Sequence, residues 1–198
     1  MSREFRRSSE SQLRSWWRVL LPFALIAAFI GVVLLSHLRM SQTFDEGFHL
    51  VAGYRYLQCT DFGINAEHPP LVKMVAALPL RLMQVPPPAG SVCGKEPTTK
   101  DHGYELGIDY LYKQGLDAQK ALFIARTGTV VFAVALLIVV FLYARYLFGY
   151  WAAIIALLLA ASEPTLIAHT ALVTTDVAVS AGVLASVFLL DLYLRTRA

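Results

Sequence analysis

The stretch Val19-Leu20-Leu21-Pro22-Phe23-Ala24-Leu25-Ile26-Ala27-Ala28-Phe29-Ile30-Gly31-Val32-Val33-Leu34-Leu35-Ser36-His37-Leu38 contains no Asp, Glu, Lys or Arg. As a helix it is long enough to cross a hydrocarbon layer roughly 30 Å thick. Arg3, Arg6, Arg7, Arg14 and Arg18 precede it, and Trp16 and Trp17 stand where interfacial aromatic residues anchor a retained span. A cleaved signal peptide has a shorter apolar run, about 7–15 residues, ending in small residues. This run exits instead through Ser36-His37-Leu38-Arg39-Met40, with no A-x-A site. The reading is an uncleaved signal anchor, with residues 1–18 forming a cytoplasmic basic arm and residues 19–38 the first transmembrane helix.

The rest of the chain extends the pattern. It is 57% hydrophobic and 16% charged, with a net charge of +3. Charge is clustered in the N-terminal arm, in a loop over 39–126, and in short basic marks afterwards. Further spans are expected over about 127–144, 147–161 and 171–194, with Arg145 at a tight turn between the second and third. In this four-span arrangement the basic arm, Arg145 and the Arg195-Thr196-Arg197 end share one side, and the loop 162–170 opposite has no Lys or Arg. That satisfies the positive-inside rule. The expected fold class is therefore all-α integral membrane, multi-pass, with a cytoplasmic N-terminus and 127–198 forming helices 2–4. The arginines mark topology and do not point to nucleic acid.

The loop 39–126 has structure of its own. Thr43-Phe44-Asp45-Glu46 fits a capping box and predicts a helix from about Phe44 through Leu57. A turn-rich stretch, 61–68, is closed by Pro69-Pro70, and proline suits the first turn of a second helix over 71–83. That helix is too short to span and carries basic residues, as expected of one lying in the membrane interface. Pro86-Pro87-Pro88-Ala89-Gly90 breaks regular structure, and 91–120 reads as a solvated excursion. Cys59 and Cys93 fall in this loop; a disulfide forms if it faces an oxidising compartment, and two free thiols are the alternative.

Several residues carry possible chemistry. Asp45 and Glu46 stand just beyond the first membrane exit. A helix start favours ionised carboxylates there, which is a structural role for both and also readies Asp45 to take a proton from a hydroxyl. Glu67-His68-Pro69-Pro70-Leu71, with Lys73 a turn further on, is either a solvated turn or an anion site at a helix start. Asp45, His49, Glu67 and His68 are metal-ligand types, but no recognised metal spacing is present. Asp176 lies near the external end of the last span, where an ionisable residue needs a partner or a cavity. His169, seven positions earlier, shares its face if the helix extends that far. Arg126 is an interfacial anchor, a partner for Asp176, or a phosphate ligand.

In this order, the signal anchor, Phe44-Asp45-Glu46, Glu67-His68-Pro69-Pro70-Leu71-Val72-Lys73, Ala125-Arg126 and Thr174-Thr175-Asp176 resemble the GT-C glycosyltransferases. The likeness is to the protein O-mannosyltransferase type and its bacterial relatives that use polyprenyl-phosphate sugars, including the aminoarabinose transferase (glycosyltransferase family 39-like). It covers most of residues 15–195, the N-terminal part of such enzymes, which run further with additional spans and often an external C-terminal domain.

The resemblance implies a GT-C-like fold in which the two loop helices lie on the bilayer. It makes Asp45 the catalytic carboxylate and Glu46 its supporting neighbour. His68, Lys73 and Arg126 would bind the donor phosphate, and Asp176, with His169 and Glu67, would line the cavity. The implied reaction moves a sugar from polyprenyl or dolichyl phosphate to an acceptor hydroxyl on the external face, with inversion. Asp45 serves as base and the cations meet the departing phosphate. The expected partners are the lipid-linked sugar, membrane lipid and an acceptor on protein, lipid or glycan. No cofactor is implied, and the bacterial inner membrane suits better than the endoplasmic reticulum. The alternative is a non-catalytic membrane subunit that binds lipid phosphate or a partner membrane protein.

Overall fold

The computed structural model describes the backbone of residues 2–89, 93 and 100–197, and the side chains within these from Trp16 onward apart from Lys100 and Asp101. All regular structure among the described residues is helical. Helix α1 covers Ser2–His37, so helix extends back through the basic arm, and its apolar part is Trp16–His37. Helices α2 (Glu46–Cys59) and α3 (Pro70–Leu82) follow in the loop. Then come α4 (Lys100–Ile108), a π-helical turn over Asp109–Lys113, and α5 (Ala118–Phe148). The chain ends with α6 (Tyr150–Ala161), α7 (Pro164–Thr170) and α8 (Asp176–Arg197).

Among the described residues, three helices are long and apolar enough to cross a membrane: α1 over Trp16–His37, α5 and α8. A fourth crossing exists if α6 and α7 count as one span bent by 62° at their junction. Glu163 and Pro164 explain the bend. The Glu163 carboxylate accepts the N–H of Leu166 at 2.6 Å, capping α7, and proline begins that helix. The expected turn at Arg145 lies elsewhere: α5 runs on to Phe148 and turns at Gly149, whose φ of +86° suits glycine.

Among the described residues, two apolar clusters form the core. One joins α1, α5 and α6 through Phe29, Val33, Ala133, Leu137 and Leu157. The other joins the loop helices to the start of α5 through Leu50, Val51, Ala76, Leu80, Leu111 and Leu122. The second cluster corrects the expectation for 91–120. Tyr110 and Leu111 are buried, and 100–113 is helical rather than a solvated excursion; of 91–99, all but Cys93 lie outside the described residues. Helices α2 and α3 pack closely enough that a Cβ added at Gly53 would stand 2.1 Å from the carbonyl oxygen of Lys73. Cys59, at the end of α2, is disulfide-bonded to Cys93.

Candidate active site

The head of α2 divides the two neighbouring carboxylates. Glu46 has no exposed surface, while Asp45, the residue before the first turn, is half-buried. One arm of the capping box closes: the backbone N–H of Thr43 donates to Glu46 Oε2 at 2.9 Å. The same carboxylate receives Arg126 through Nε at 2.8 Å and Nη2 at 2.7 Å, and the Val173 N–H at 3.0 Å. Burial alone pushes the Glu46 carboxyl up. The Arg126 hydrogen bonds and charge, with the two backbone donors, outweigh it and hold the carboxyl below its ordinary value.

Arg126 therefore faces inward. It is fully buried, and it also donates to the carbonyls of Met40 at 2.9 Å and Ser41 at 2.8 Å. This corrects the two functional expectations for it: its partner is Glu46 rather than Asp176, and its guanidinium is spent on the chain leaving α1 instead of presented to a phosphate. Lys73 shows the same reversal. Its Nζ lies within 3.0 Å of Tyr56 Oη, Asn65 O, Asn65 Oδ1 and His68 O, with no exposed surface. An ammonium has three donors, so these four oxygens already exceed what it can bond at once. Burial lowers Lys73 to about 8, against a smaller opposing pull from Glu67. Its evident work is to gather the turn 64–68; Tyr56 Oη also donates to Ile64 O there.

Asp45 is the open carboxylate. Its Oδ1 accepts the hydroxyl of Tyr104 at 2.9 Å, and Tyr104 is itself packed between Phe44 and Phe48. His49 stands one turn along α2, buried, with Nδ1 2.7 Å from Val173 O. The His68 ring, half-buried, lies edge-on to His49 with centroids 5.4 Å apart. Asp45, His49, His68 and Tyr104 thus form the polar group at this end of α2. Glu67 is exposed on the turn beside it.

His169 and Asp176 meet across the break between α7 and α8, at 3.3 Å from Nδ1 to Oδ2. The helix does not continue between them; the non-helical stretch 171–175 lets them meet. With Glu163, Thr165 and Ser180 they line an open cleft of about 330 Å³, which Glu67 does not join. The loop joining α7 to α8 also contacts the Asp45 region, because Val173 bonds both Glu46 and His49. No group of three or more His, Cys, Asp or Glu side chains placed to hold a metal occurs among the described residues.

One contributor leaves no mark in the sequence. Tyr104 lies 59 residues from Asp45 in the stretch read as an excursion, and nothing local marks it. His49, read from sequence only as a metal-ligand type, sits at i+4 from Asp45, and that spacing puts both on one helical face. Compared with protein-family models, curated proteins and solved structures, the chain matches none.

Proposed function

We propose that this chain is a membrane glycosyltransferase module that uses a polyprenyl- or dolichyl-phosphate sugar and places Asp45 as the base for an acceptor hydroxyl. The observation that supports this best is the division of labour at the head of α2. Glu46 is neutralised by Arg126 beneath, and Asp45 stays accessible above, oriented by Tyr104. A general base must reach its substrate's proton, and a second carboxylate tied to a cation keeps its backbone in place. His68 is the half-exposed group suited to the donor phosphate. Lys73 and Arg126 act as positioning residues, holding the His68 turn and the Glu46 helix start. The Cys59–Cys93 bridge suits a loop in an oxidising compartment, the external side of the bilayer.

Replacing Asp45 by Asn keeps the shape and the Tyr104 contact while removing the base. Transfer from a polyprenyl-phosphate hexose by the intact protein should fall by about 10²–10⁴. Undiminished transfer would sink the assignment. The reading as a non-catalytic subunit draws on a separate observation: α8 leaves most of its apolar side chains uncovered, including Val183, Leu189, Leu190 and Leu194. Donor binding without turnover, insensitive to Asp45→Asn, would favour it.

A further inference from the structure

His49 is a buried imidazole without a task in the reaction just outlined. Only 3% of it is exposed, and its Nδ1 lies 2.7 Å from the Val173 carbonyl oxygen. A carbonyl only accepts, so Nδ1 carries the hydrogen and Nε2 is left with a bare lone pair. Burial is the main reason the ring stays neutral. The Val173 bond opposes it, Lys73 and His68 add to it, and Asp45 opposes it. Nε2 has no hydrogen-bond partner among the described residues. A buried acceptor left so is unfavourable, and such an atom in a native fold asks for an explanation.

The ring against His49 is that of His68, at 5.4 Å and an interplanar angle of 74°. The His68 carbonyl is gripped by Lys73 Nζ at 2.8 Å, so its backbone is fixed while its half-buried side chain can turn. We infer that His49 is a positioning residue for His68: its Nε2 lone pair accepts one ring N–H of His68, which aims the other ring nitrogen at the phosphate of a lipid-linked sugar. This deepens, and rests on, the reading of the site given above. An imidazolium has two donors, and one anchored to a neutral acceptor fixes the direction of the second. The acceptor is in turn held from below. Arg126 binds Glu46, Glu46 binds the Val173 N–H, and the Val173 carbonyl binds His49. The chain of contacts runs from a membrane-length helix to the proposed phosphate ligand.

The test uses the full chain in nanodiscs with ¹⁵N-labelled histidine. Without ligand at neutral pH, a ring N–H of His68 should show scalar coupling to His49 Nε2 across the hydrogen bond. Undecaprenyl phosphate should keep that coupling and shift the resonance of the other His68 ring nitrogen. Its Kd should rise about tenfold in His49→Phe, the loss of one charge-assisted hydrogen bond. His49→Gln restores an acceptor and should bind within about threefold of the native chain, with melting temperatures alike. An uncoupled Nε2 both without and with lipid overturns the proposal, as does native-like binding by His49→Phe. Equal losses in both variants with a fall in melting temperature make His49 merely structural and overturn it too. A response to inorganic phosphate alone overturns the lipid-linked assignment. Coupling without any response to undecaprenyl phosphate keeps the His49–His68 pair and removes the donor reading. Binding that is lost in His68→Ala while His49 stays uncoupled does the reverse.

Discussion

The Glu46 carboxylate and the Arg126 guanidinium meet through two contacts, at 2.8 Å and 2.7 Å, although they stand 80 residues apart and neither side chain is exposed. Removing one member leaves the other charge buried and unpaired, which costs about 3–5 kcal/mol. Glu46→Ala and Arg126→Ala should each lower stability by that amount in thermal or denaturant unfolding in detergent. The double variant should lose clearly less than the sum, because the second truncation removes the orphaned charge. Additive losses would show the contacts to be independent.

The same pair sets an acid limit. The folded-state pKa of Glu46 lies below its ordinary 4.5, so the folded form binds fewer protons than the unfolded one as acid is added. Its stabilisation is complete above about pH 4.5 and is lost as the pH falls through the depressed value. Melting temperatures measured from neutral to about pH 3 should drop less steeply in Glu46→Gln than in the native chain. Parallel curves would place the acid sensitivity elsewhere.

Lys73 gives a slope of the same sign in an alkaline window. Burial lowers it from 10.5 to about 8, so between these values the unfolded chain holds more protons than the folded one. Stability contributed at this site therefore rises with pH across that window and is flat below it. The native chain should gain on Lys73→Met as the pH is raised from about 8 to about 10 in paired unfolding measurements. Amine-reactive labelling offers a second check: Lys113 and Lys120 are exposed and should react, while Lys73 stays protected until the fold opens.

The Cys59–Cys93 bridge ties the end of α2 to the segment before α4, closing a loop with a sequence separation of 34. Loop-closure entropy assigns such a link about 3–4 kcal/mol. Reductant, or the Cys59→Ser/Cys93→Ser pair, should lower the melting temperature accordingly. A chain that melts identically with and without reductant would mean the bridge adds nothing to the fold.

Hydropathy and charge placement identified the helices that could cross a membrane, because span length and arginine position are local properties of the chain. The proline pair at 69–70 located the start of α3 within a residue, and the Thr43–Glu46 spacing came within two of the start of α2. Local signals failed where partners come from afar. Nothing near Arg126 or Lys73 says that each cation will be turned inward: an arginine at the mouth of a span and a lysine beside a helix start look the same whether they face solvent or the core. Tyr104 reaches Asp45 across 59 residues, and Val173 joins Glu46 and His49 only once the α7–α8 loop has docked on α2. The sequence by itself thus determined a helical chain with membrane-length apolar segments and a polar loop rich in titratable groups. Tertiary structure alone decided which of those groups remain open. Desolvation makes every buried charge find a partner, and the partner that wins is set by how the helices pack, not by spacing along the chain.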